Sequence, residues 1–340
     1  MSRFMPLRRL SFLFACLALT SGALQAATLK IATLAPEGST WMQEMRAGAA
    51  EIAQRTGGRV ELKFYPGGVM GNDKSVLRKI RINQLQGGAV TSGVLADAYP
   101  DIDVYELPFL FRDNEEVAYV RARMDGQLKA GLEKTGFVAL GITNGGFAYL
   151  LSNKRVAGVA DLDGQKVWIP EGDMVSEVVF KTAGISPVSL PVSDVYTGLQ
   201  TGLIDTVVAT PAAAIALQWH TRMTHLTNQP LALVIAVLAV DKKALDRLDP
   251  ADQAVVREVI GRVFAHLDEL NQRDDRQALE ALKRQGIQFV DPSPEEVARW
   301  QDIARQAEET LGAQGAYSPA TLQTLRGYLA EYRNGERDAR

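Results

Sequence analysis

The chain has 340 residues, 46% of them apolar, a formal net charge of −3 and one cysteine, Cys16. That length exceeds the usual limit of about 250–300 residues for a single hydrophobic core, so two lobes are expected. The weakly acidic balance, without a basic stripe or an aromatic-rich basic motif, argues against a nucleic-acid partner, and one cysteine cannot form an internal disulfide.

The chain opens MSRFMPLRRLSFLFACLALTSGALQAA, where Arg3, Arg8 and Arg9 precede an apolar run from Leu10 to Leu19 and small residues follow. This pattern predicts a secretory signal peptide over residues 1–26, cut after Ala26 or Ala27, and a periplasmic mature protein. The run is too short to span a bilayer, which takes about 20 apolar residues. Leu13-Phe14-Ala15-Cys16 is a poor lipoprotein box, because Phe14 is bulky and the apolar run continues past Cys16. Cleavage removes three arginines and no acid, taking the formal charge from −3 to −6.

TLKIATLA (28–35) is an apolar strand, a helix opens at Gly38-Ser39-Thr40-Trp41 and stops at Thr56-Gly57-Gly58, and RVELKFYP is a second strand. Strand, helix and strand in this order predict a parallel β-α-β unit. A helix over 73–85 leads to the strand GGAVTSGVL, and a helix over 114–135 leads to GFVALGIT. From residue 146 the pattern resets with GFAYLLSN and KVWIP. A helix from Val175 to Ala183, the strand PVSL, a helix in SDVYTGLQTG, the strand IDTVVAT and a helix in AAAIALQWH follow. After the apolar stretch LALVIAVLAV, residues 250–285 form one long helix with Val255, Val256, Val259, Ile260, Val263 and Leu267 on one face, long enough to cross between lobes. The tail holds two helices with serine caps. The fold class is therefore α/β, two lobes joined by a hinge, with a cleft between them and a lobe-spanning helix. Lobe I is expected to cover 27–147, completed by 236–270, and lobe II 148–235, completed by 271–340. In such sheets ligands bind beyond the carboxyl ends of the strands.

Catalytic machinery is not legible. Of the three histidines, His220 and His225 are five apart, a spacing that does not share a helix face, and His266 lies in the charged helix. There is no G-x-S-x-G elbow, no H-E-x-x-H and no Walker loop. No metal, no cofactor and no enzymatic activity are expected. Gly145-Gly146 reads as a turn or lobe hinge.

Five motifs follow in order: TGGRVELKFYPGGVMGND (56–73), VYELPFLFRD (104–113), DLDGQKVWIP (161–170), TAGISPV (182–188) and SDVYTGLQTGLID (193–205). Together they resemble the DctP-type substrate-binding proteins of tripartite ATP-independent periplasmic (TRAP) transporters, from about Leu29 to about Lys243. The resemblance implies a receptor that closes on a small organic solute and delivers it to membrane permease subunits; the alternative is a ligand-presenting sensor subunit of the same fold.

Three anchors that the resemblance implies are replaced. The family holds a substrate carboxylate with an arginine in a strand written K-x-R-x-P, and here KVWIP puts Trp168 in that place; a second arginine position is Ala148, and an asparagine position is Ala209, beside Thr210. Without those bases a buried carboxylate would be uncompensated, so an uncharged, aromatic or cationic solute is expected in place of an arginine-anchored acid. Trp168 reads either as a cleft-lining ring or as packing. If it lines the cleft, its removal is expected to weaken binding and largely spare the fold. Glu171 and Asp173 read either as cleft carboxylates or as a solvated turn and helix cap. Trp41, Tyr196, Asn144 and Trp219 complete the candidates, with Trp41 equally readable as core.

Overall fold

The computed structural model describes residues 26–338. The expected leader, with Cys16, lies outside the described residues except for Ala26.

The first half of the molecule is built as β1 (Ala27–Thr33), α1 (Thr40–Arg55), β2 (Val60–Tyr65), α2 (Asp73–Arg81), β3 (Gly87–Thr91), the short α3 (Gly93–Ala96), a 3-10 turn over Pro100–Glu106 and α4 (Asn114–Glu133). Polar side chains start the helices where the sequence places them. Ser39 accepts the Met42 amide at 3.3 Å, Asn72 the Ser75 amide at 2.9 Å and Asp113 the Glu116 amide at 2.8 Å, each satisfying a donor that the first helical turn leaves open. The helix expected to reach residue 85 stops at Arg81, because Asn83 turns left-handed at φ 60°, a conformation asparagine tolerates better than most residues.

The second half holds β5 (Val167–Pro170), α5 (Met174–Thr182), β6 (Val188–Leu190), α6 (Val195–Thr201), β7 (Thr206–Ala209) and α7 (Pro211–Ala216). Two long strands, β4 (Phe137–Ser152) and β8 (His225–Asp241), pair antiparallel along most of their length and pass through both halves. The result is one sheet of nine strands in the order β2-β1-β3-β8-β4-β7-β5-β6, with β9 (Gln288–Val290) beside β8. β1 is parallel to β2 and β3, and β5 is parallel to β6 and β7, as strand-helix-strand connections require. The molecule is thus a two-lobed α/β protein whose lobes share their two central strands.

The pattern does not reset at residue 146. GFVALGIT and GFAYLLSN are parts of the single strand β4, and Gly145-Gly146 is a bulge within it. Register shifts between Ala139 and Gly141, Asn144 and Gly146, and Ala148 and Leu150 let this strand bend from one half into the other.

α8 (Lys242–Asp246) leads into α9 (Pro250–Arg284), a helix of 35 residues and therefore about 50 Å long. Val256, Val259, Ile260, Val263, Phe264 and Leu267 are buried on the side of α1 and β4, in one core with residues of β1 and β2, and Val255 is half-buried beside them. Leu282, near the other end, belongs to the core of Trp168, Val207 and Trp219. The helix comes so close to β4 that a side chain on Gly141 would overlap the Phe264 ring. At the bulge, Asp268 accepts the Asn144 amide at 2.7 Å and the Thr143 hydroxyl at 2.8 Å, and Asn271 donates to the Asn144 carbonyl at 2.9 Å.

The tail divides. α10 (Pro294–Ala313) packs on α5, whereas α11 (Pro319–Asp338) packs on α4, where Asp101 takes the Ser318 amide at 2.5 Å and Arg333 pairs with Glu116 at 2.7 Å. The expectation that everything after residue 271 completes lobe II therefore fails for α11, which closes over the first half. No helix among the described residues is long and apolar enough to cross a membrane.

Candidate functional site

The two halves meet at the carboxyl ends of β3 and β5. A cavity of about 90 Å³ lies there, walled by Thr91 at the end of β3 and Gly93 after it, Glu106 from the 3-10 turn, Trp168 and Pro170 of β5, Asp173, Val175 and Ser176 at the start of α5, Val208 of β7, Ala148 of β4 and Ala232–Val234 of β8. A smaller space of about 40 Å³ shares Glu106, Val175, Ser176, Val208 and Ala232 with it and extends to Phe109 and Trp300. A rim crevice of about 20 Å³ lies between Asn72, Asp73 and Lys74 on one side and Pro170, Glu171 and Pro191 on the other.

Trp168 is 3% exposed, so of its two readings the ring is mostly packing. Its indole N–H donates to the Leu190 carbonyl at 2.9 Å, and it meets Trp219 edge to face with ring centres 5.1 Å apart. This ring belongs to the core of the second half and presents only a margin to the cavity. Ala148 and Asp173 also line the cavity.

Asp173 caps α5, its carboxylate accepting the Ser176 amide at 2.8 Å, and the residue also lines the cavity. Burial raises its pKa above the ordinary carboxylate range, opposed by hydrogen bonds from Ser176 and Val175. Glu171 stands at the rim, 39% exposed, accepting Asn72 Nδ2 at 3.0 Å with Lys74 Nζ 3.7 Å away.

The remaining candidates sit elsewhere. Trp41 is half-buried against the core of β1 and α1. Tyr196 packs on the second core with the Arg222 guanidinium 6.0 Å from its ring. Asn144 is buried in the bulge, donating to Asn114 at 3.0 Å and accepting the Gly146 amide at 2.8 Å. Ala209 is core, Thr210 caps α7 through the Ala213 amide at 3.2 Å, and Trp219 backs Trp168. None of these six walls the cavity.

Two carboxylates escaped the sequence reading although both lie in DIDVYELPF: Glu106, which lines the cavity, and Asp103 near it. Asp103 is buried and accepts the Ser92 hydroxyl at 2.7 Å, and Glu106 accepts the Ile235 amide at 2.6 Å. Burial and then the neighbouring Asp173 push the Asp103 pKa to about 7, against the pull of the Ser92 hydroxyl. Burial, followed by Asp103 and Asp173, raises Glu106 well above the usual range. At the rim, burial lifts Asp73 to about 6, opposed by the Thr91 amide and hydroxyl, both at 3.1 Å. The legible signal was an acid at 103 and 106 among Ile102, Val104, Tyr105 and Leu107, all of them core. Acids in such a setting need a reason to be buried.

Residues 31–312 match the DctP family, described as bacterial extracellular solute-binding protein, family 7. The chain is 27% identical over 249 residues to the 2,3-diketo-L-gulonate-binding periplasmic protein YiaO of Escherichia coli, covering 70% of this chain and 73% of that protein. It is 26% identical over 261 residues to the C4-dicarboxylate-binding periplasmic protein DctP of Rhodobacter capsulatus, covering 74% and 77%. A TRAP periplasmic solute-binding protein from Desulfovibrio salexigens, solved with bound orotic acid, shares the fold with a TM-score of 0.84 at 19% identity, covering 90% of this chain and 99% of that one. With the family match spanning most of its length, the chain belongs to family 7 of the bacterial extracellular solute-binding proteins, the DctP-type receptors of TRAP transporters.

Proposed function

We propose that this receptor works in the periplasm after loss of its 1–26 leader, closes on a small organic solute, and hands it to the membrane permease subunits of a TRAP transporter without transforming it. The observation that carries the proposal is a cavity walled from both halves of the sheet, so that a solute touching Glu106 and Asp173 together favours the closed form over the open one. In this reading lobe I spans 27–147 with 236–270 and α11, and lobe II spans 148–235 with α10. The sensor alternative shares the fold, but the family match favours transport.

The named relatives bind organic acids, 2,3-diketo-L-gulonate and C4-dicarboxylates, and the structural neighbour holds orotic acid. Among the described residues no basic side chain walls the cavity, which favours a solute other than an arginine-anchored carboxylate. Of the sequence candidates, Asp173, Ala148 and the margin of Trp168 are the proposed solute contacts, with Glu171 at the rim. The test is uptake: cells lacking this chain should fail to accumulate the solute that co-purifies with it, and complementation should restore uptake. Undiminished uptake in the deletion strain would refute the transport role.

A further inference from the structure

We infer that the solute is a small organic cation, a protonated amine or amidine on a compact apolar body, whose nitrogen lies between Glu106 and Asp173. The inference deepens the receptor reading and rests on it.

Three carboxylates converge from the two lobes. Asp103 and Glu106 come from the 3-10 turn of the first, and Asp173 from the start of α5 in the second. Gly93 adjoins two of them: a Cβ built there would lie 3.8 Å from Asp103 Oδ2 and 3.9 Å from Asp173 Cα. Glu106 commits one oxygen to the Ile235 amide. Its other neighbour is the Ser92 hydroxyl, whose single proton goes to Asp103 at 2.7 Å. Among the described residues no further donor reaches Glu106, which leaves acceptor capacity turned into the cavity it lines. Lys74, a cation at the rim, stands beside Glu171 and is not among the residues of the main cavity wall.

Buried carboxylates without a basic partner are costly, and a ligand nitrogen with several N–H donors is the partner this geometry lacks. Trp168, Val175, Val208 and Leu233 supply the apolar wall for an alkyl or aryl body. A carboxylate solute would instead bring its anion against an acidic cluster whose wall offers no base among the described residues.

Among the described residues, the charges facing the three carboxylates are one another, Glu177 behind Asp173, and Asp73, Glu171 and Lys74 at the rim. Protonation of the carboxylates competes with a cation, so cation affinity should rise with pH through neutrality, and binding should release protons. A carboxylate ligand would show the opposite trend.

Calorimetry with benzylammonium, cyclohexylammonium and butylammonium, against benzoate, cyclohexanecarboxylate, butyrate and benzamide, tests the inference. At least one amine should bind, roughly five-fold or more tightly at about pH 8 than at about pH 6. Glu106→Gln and Asp173→Asn should each weaken it about ten-fold or more. Both variants keep an acceptor for the Ile235 or Ser176 amide, and unchanged melting would show that the fold is retained. Failure of all three amines overturns the inference, as does a co-purifying solute without a basic nitrogen. Tight binding of an acid in place of an amine also overturns it but leaves the receptor reading standing. Saturable binding of no solute at all, the co-purifying one included, refutes both.

Discussion

Asn72 serves two lobes at once: its Oδ1 accepts the Ser75 amide at 2.9 Å to start α2, while its Nδ2 donates across the cleft to Glu171 Oε2 at 3.0 Å. Lys74, two residues on, stands 3.7 Å from the other carboxylate oxygen. The cap therefore fixes a donor on one lobe toward an acceptor on the other.

Glu171→Ala should loosen the closed form and spare the folded lobes. Because the contact is partly exposed, about 0.5–1 kcal/mol is expected, a two- to five-fold loss of solute affinity, with a larger radius in X-ray scattering at subsaturating ligand. An unchanged affinity would show that the contact contributes nothing to closure.

Trp168→Ala should cost about 3–5 kcal/mol of stability in denaturant unfolding. The sequence-based expectation that this change largely spares the fold does not survive the burial of the ring and its edge-to-face contact with Trp219. Trp168→Phe keeps most of the packing but loses the hydrogen bond to Leu190 and should cost about 1–2 kcal/mol. Equal stability of the two variants would argue against the packing role.

Asp103→Asn should stabilise the ligand-free protein above neutral pH. A carboxyl raised to about 7 by burial contributes stability below its unfolded pKa, near 4, and loses it as pH rises through 7. The asparagine variant escapes that loss, so its advantage should vanish below about pH 4, grow steadily above it and approach about 4 kcal/mol by about pH 8. Thermal melts across this range check the sign, and an advantage greatest in acid would contradict it.

Gly146→Ala should destabilise the crossover between lobes by about 2 kcal/mol or more. Gly146 has φ 103°, and a Cβ there would overlap Asp275 Oδ2, whose partner oxygen accepts the Ala212 amide at 3.1 Å. Adding Asp275→Ala should relieve the overlap but not the backbone strain, giving partial recovery in unfolding experiments. Full recovery would mean that the strain is negligible.

The outer elements were legible because each has a solvent face. The stripe of Val256, Val259, Ile260, Val263 and Leu267 predicted both α9 and the side it buries, and serine, asparagine and aspartate marked the helix starts. The central strands were not. β4 and β8 are covered over much of their length on both faces, so they lack the alternation that announces a strand, and Gly145-Gly146, read as a turn or lobe hinge, is a bulge within one strand. At the site, Trp168 and Asp173 drew notice as an aromatic and an acid at a strand end. Glu106 did not, since one acid inside ELPFLF has no local pattern, and its significance comes from Asp173 arriving from 67 positions away in the chain.

α9 carries Leu267 into one core and Leu282 into the other on a single run of helical hydrogen bonds. Melting either lobe must withdraw apolar side chains from a rod whose far end is anchored in its neighbour. The two lobes should then denature as one cooperative unit, and a proteolytic cut midway along this helix should cost both lobes their stability together.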